Sequence, residues 1–207
     1  MTARWQWMAV AAIASVSMAT HLPARAHSAS DAYLTLDAGT RAAGSETVVH
    51  GQWDIALRDL HFVLGLDDDG DGTITWRELR RHQPAIARHA YGFLQAQADG
   101  KACTVRPKGQ KVANHADGAY AALSFDIVCT GAPARLTLDY RMFFAIDPSH
   151  RCILVFQSGG ETATALLSPQ NSKVDFRLRP AVGPRSAGGP TERSSVGLAS
   201  TGARPQW

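Results

Sequence analysis

From residue 33 onward, apolar side chains mostly return at every second position. Leu136, Leu138, Tyr140, Met142, Phe144 and Ile146 alternate with Arg135, Thr137, Asp139, Arg141, Phe143 and Ala145, the pattern of a strand with one buried face. Residues 33–36, 48–55, 101–107, 120–129, 151–156, 162–167 and 174–178 carry the same signal. Turn-forming stretches at 114–118, 131–133, 147–148 and 168–169 separate them. Many short strands with turns between them predict a mainly β, sandwich-like domain.

Between Ala56 and Ala98 the period becomes helical. Leu57, Leu60, Val63 and Leu64 share one face before an acidic loop. A second helix is expected from about Thr75, kinked or restarted at Pro84, with Ile86, Ala90, Phe93 and Leu94 turned to the core. The fold class is therefore α+β: a β-rich domain over 27–178 with a helix–loop–helix inserted at about 56–98. From 179 to 207 glycine, proline, serine and arginine replace the large apolar residues, which predicts a disordered tail with no core of its own.

The chain has 207 residues, 45% of them hydrophobic, and a net charge of +3. That is enough apolar chain for one ordinary core, and it excludes uniform disorder. The positive charge sits at the ends: residues 1–26 carry +2 and residues 179–207 carry +3, leaving −2 for the middle. Nothing in that distribution argues for a nucleic-acid partner. The N-terminus reads as an export signal, with Arg4, an apolar stretch from Met8 to Ala19 and an Ala-x-Ala ending at Ala26, so the mature chain is expected to begin at His27. After cleavage, no stretch is long enough to span a bilayer. A periplasmic or extracellular location follows as the expectation.

An oxidising compartment suits paired cysteines. Cys103 shares strand parity with Val105, and Cys129 with Phe125 and Ile127, so both are placed to meet in one core; Cys152 is left as the odd thiol. Three pairings are open on sequence grounds, with Cys103–Cys129 the expected one.

The strongest chemical signal is Asp67-Asp-Asp-Gly-Asp-Gly-Thr-Ile-Thr-Trp-Arg-Glu78. Counting from Asp67, carboxylates fall at positions 1, 3 and 5 (Asp67, Asp69, Asp71) and Gly72 stands at the sharp turn at 6. Thr73 offers its carbonyl at 7, Thr75 stands at 9, and Glu78 brings two oxygens at 12. Hard oxygen donors at this spacing suit one calcium ion, and the segment resembles an EF-hand. Asp68, at position 2, is expected to face solvent. Only one such loop is present, so Ile74 at position 8 needs another partner: the β domain, a second chain or a degenerate hand. The absence of a methionine-rich face favours a structural clip over a sensor.

The mature segment also resembles the extracytoplasmic N-terminal region of HupE/UreJ-type membrane proteins. The likeness rests on Ala26 to Leu36, Gly51-Gln-Trp-Asp-Ile-Ala-Leu-Arg-Asp-Leu60, Leu64 to Leu79, Asp117-Gly-Ala-Tyr120 and Phe144 to Arg151, and covers about residues 27–178. The resemblance implies an association with nickel or cobalt uptake and with a membrane transporter as partner. The family's membrane bundle is expected where the tail begins here, so transport itself is not assigned to this chain.

Other constellations are weaker. A mature N-terminal His27 offers an amine and an imidazole for Cu²⁺ or Ni²⁺, with His50, His61, His82, His89, His115 or His150 as further donors. His150 and Cys152 form a nucleophile-like pair without an orienting group, so no enzyme activity is expected. Trp53 and Trp76 are expected in the core, and Arg77, Arg80, Arg81 and Arg88 on a solvated helix face.

Overall fold

The computed structural model describes residues 30–39 and 46–179. The expected export signal, His27 and residues 180–207 of the expected tail lie outside the described residues. Ten strands and two helices follow in chain order: β1 (Asp31–Asp37), β2 (Glu46–Ala56), α1 (Leu57–Leu64), α2 (Trp76–Gly92), β3 (Leu94–Ala98), β4 (Lys101–Ala102), β5 (Thr104–His115), β6 (Gly118–Thr130), β7 (Arg135–Tyr140), β8 (Arg151–Ser158), β9 (Glu161–Leu167) and β10 (Lys173–Arg177). They form a six-stranded sheet in the order β5-β6-β2-β1-β8-β9 and a four-stranded sheet in the order β10-β7-β3-β4. Every pairing is antiparallel except β1 with β8. The fold class is thus α+β, with two sheets and two short helices.

The period-2 pattern decides which face each strand buries. On β1, Ala32, Leu34 and Leu36 are buried while Thr35 and Asp37 face out. Register carries that face across the sheet: Leu34 opposes Trp53 and Leu154, and Trp53 opposes Leu123. Leu94, Ala96, Leu136, Leu138, Tyr140 and Phe176 supply the inner face of the smaller sheet. Both faces join one hydrophobic cluster, together with Leu57, Leu60, Leu79, Ile86 and Ala90 of the helices. Two aromatic pairs cross between the sheets: Trp53 meets Tyr140 edge-on at 5.4 Å, and Phe156 stacks on Phe176 at 4.5 Å. Gly51 leaves room for the Phe125 ring, because a Cβ there would sit 2.3 Å from Phe125 Cζ.

Cys103, at the crossover from β4 to β5, is bonded to Cys129 on β6 with the Cα atoms 4.5 Å apart. Cys152 is the free, buried thiol. Three boundaries differ from expectation. The helical segment ends at Gly92 and Leu94–Ala98 is a strand, since these residues complete the small sheet against β7. The alternation after Arg135 stops being a strand at Tyr140: Phe143 adopts a positive φ of 63°, and the amides of Ile146 and Asp147 fold back onto its carbonyl. Helix α2 also runs through Pro84 without restarting.

Candidate functional site

Helix α1 delivers the chain to the acidic loop through a left-handed Gly65, whose N–H bonds the His61 carbonyl at 2.8 Å. Leu66 and Leu79, both buried, pin the two ends of the loop to the core, and Ile74 packs partly against the same cluster. On the far side Thr75 caps α2. Its hydroxyl accepts the Glu78 N–H at 3.3 Å, and the Glu78 carboxylate accepts the Thr75 N–H at 2.8 Å, a reciprocal capping box.

Within the loop, backbone amides fold onto the carboxylates. Asp67 accepts the N–H groups of Gly70 at 2.8 Å and Gly72 at 2.9 Å, and Asp71 accepts that of Thr73 at 2.7 Å. A positive φ of 83° at Gly72 makes this closure possible, a conformation costly for any residue with a Cβ. One ligand oxygen from each of Asp67, Asp69 and Asp71 lies within 4.8 Å of the others. The N–H of Gly72, helped by that of Gly70, holds Asp67 below the usual carboxylate range. Asp69 accepts a lowering N–H bond from Asp71, yet repulsion from the Asp71 carboxylate and the nearby Glu78 leave it raised. Three carboxylates this close, one of them reluctant to ionise, are a donor set that suits a hard divalent cation.

Of the expected ligands, the structure brings together Asp67, Asp69 and Asp71. Glu78 is buried and held apart from them by its own hydrogen bonds. The hydroxyl and N–H of Thr75 and the N–H of Asp68 all reach its carboxylate, which is driven down to about 2. It stands beside the cluster as a deprotonated, preformed carboxylate. Asp68 is exposed, as expected, but it is also paired. It accepts hydrogen bonds from Arg81 and from His82 Nε2, the latter at 2.9 Å, because the second turn of α2 comes back over the start of the loop. Trp76 corrects another expectation: it is 49% exposed, with the Arg80 guanidinium 5.7 Å from its ring centre, while Trp53 is fully buried as expected.

Among the described residues the histidines do not converge. His50 pairs with Asp126, His82 with Asp68 and His115 with Asp54, while His89 packs on Phe93 and Phe143. Among the described residues, Asp67, Asp69 and Asp71 are the one group of metal-ligating side chains close enough to share an ion. His150 and Cys152 do lie near each other, but around the Tyr140 hydroxyl, which is 2.7 Å from His150 Nε2. Burial drives the imidazole down to about 4 and the thiol well above its ordinary value, the opposite of an activated thiolate–imidazolium pair.

Sequence reasoning missed two arrangements. Ser30 donates to Asp59 at 2.8 Å, and its oxygen lies 2.6 Å from His150 Nδ1, tying the start of β1 to α1 and to the approach to β8. His61 holds the entry to the loop, with Nδ1 at 3.1 Å from the Leu66 nitrogen and 3.3 Å from that of Asp67. No spacing motif announces either one. No protein-family model matches the chain, and no curated protein matches it. No helix among the described residues is long and apolar enough to cross a membrane.

Proposed function

We propose that this chain is an exported, non-catalytic calcium-binding domain. Residues 57–92 would act as a single EF-hand, set into a sandwich-like β domain. The observation that carries the reading is the convergence of Asp67, Asp69 and Asp71 on a loop whose own amides organise them. Asp67, Asp69, Asp71 and Glu78 would hold the ion through carboxylate oxygens, Thr73 through its carbonyl, and Thr75 would stand at position 9. The ion would supply charge neutralisation where the loop otherwise sets like charges side by side.

The packing of the loop favours a clip over a switch. Leu66, Ile74 and Leu79 anchor it to the core, and Asp68 ties its second residue to α2. A site of ~10⁻⁴ M affinity, in the range of extracellular calcium modules, would stay filled outside the cell. The likeness of residues 27–178 to the HupE/UreJ-type region supports a role as an accessory or interaction module beside a nickel or cobalt uptake protein.

The test is calorimetric titration of the metal-stripped protein with calcium in a magnesium background. One-to-one binding is expected. No heat and no change in melting temperature would overturn the reading.

A further inference from the structure

His61 lies in the last turn of α1, six residues ahead of Asp67, and is not one of the expected ligands. Its backbone and ring together take three successive amides: the carbonyl accepts Gly65 N–H at 2.8 Å, and Nδ1 faces the N–H groups of Leu66 at 3.1 Å and Asp67 at 3.3 Å. A nitrogen that accepts backbone N–H groups carries no proton of its own, so the ring is in its Nε2–H form. The last turn of a helix ordinarily leaves carbonyls, not amides, without partners. Here Gly65 reverses the chain, so the next two amides point back at the helix that has just ended. The imidazole is thus the fixed point from which the loop departs, and it holds the backbone of the first carboxylate residue directly.

We propose that His61 is a positioning residue for the calcium loop, setting the backbone of Asp67 so that its carboxylate meets those of Asp69 and Asp71. The inference rests on the calcium reading above. It assigns the affinity of the site in part to a side chain that contributes no ligand atom. Removing the acceptor frees two amides, and the loop must then lose that freedom again each time an ion binds.

Two variants separate this role from general packing. His61→Leu keeps bulk and removes the acceptor; His61→Asn restores an acceptor oxygen near the place of Nδ1. Calcium binding is measured by calorimetry, and Tb³⁺ binding by luminescence sensitised through Trp76 at the end of the loop. Amide exchange is followed in the metal-free proteins. The expected result is a five- to tenfold weaker calcium affinity in His61→Leu, roughly the effect of one or two lost hydrogen bonds. His61→Asn should recover most of it. Faster exchange should be confined to Leu66 and Asp67, with β1 and β8 unchanged. Wild-type affinity in His61→Leu, or no recovery in His61→Asn, overturns the inference while leaving the calcium reading in place. Failure of the unaltered protein to bind either ion overturns both.

Discussion

Sealed from solvent, the His150 ring is held at both nitrogens, by Ser30 Oγ and by Tyr140 Oη. Burial drives its pKa down to about 4, against an ordinary value near 6.5. The fold therefore favours the neutral ring. Its contribution is fully present above pH 6.5 and is lost as pH falls from there toward 4, because the unfolded chain takes up the proton first. The loss is on the order of 3 kcal/mol. His89, also lowered by burial, adds to it in the same direction. Glu78, depressed to about 2, weakens the fold only below its ordinary value of 4.5, and Asp59, raised by burial, acts in the opposite direction to the imidazoles as pH falls. Urea unfolding of the metal-free protein should show a falling midpoint across the interval from pH 6.5 to 4.5, and a flat profile would contradict the buried neutral ring. None of this cluster is legible in the sequence, since Ser30 and His150 are 120 residues apart and no spacing says that they meet. The loop is legible because its carboxylates are close together in the chain. The pairing of Asp68 with Arg81 and His82 is not, because it depends on where α2 returns.

At the scale of elements, strands with one wet and one dry face announce themselves. β1 and β8 alternate cleanly, and β1 pairs with β8 over its whole length. β5 does not, because it is an edge strand whose residues from Arg106 to Gly109 are all exposed and whose register breaks between Pro107 and Gly109. With no dry face there is no period to read. Two elements carry direct tests. Gly51→Ala would drive a methyl into the Phe125 ring between β2 and β6, and should cost about 1–3 kcal/mol by denaturant unfolding. Reducing Cys103–Cys129 opens a loop with a separation of 26 residues and should cost about 3–4 kcal/mol on the chain-entropy account, seen as a lower melting temperature in reductant.

For the whole molecule, the decisive feature is that both sheets and both helices feed one core. A ligand held by the loop therefore stabilises everything at once, through Leu66 and Leu79, and not the helices alone. Calcium at about a hundredfold excess over its dissociation constant should add about 2.7 kcal/mol, read as one sharp transition moving to higher temperature. Asp67→Asn should abolish that increment and leave the metal-free transition nearly where it was. Two separate transitions would show that the helical insertion melts on its own.

The place of β1 has a consequence for how the molecule is made. It is the first described strand, yet it lies between β2 and β8, and its parallel partner begins only at Arg151. A ribosome delivers β1 and β2 early, so for most of synthesis the nascent chain holds a hairpin with one ragged side. The register Ala32 with Cys152 through Asp37 with Gln157 becomes available only once Gln157 has emerged. Completion of the larger sheet is thus a late event, paced by elongation, and a stalled chain would offer its open seam to any extended neighbour.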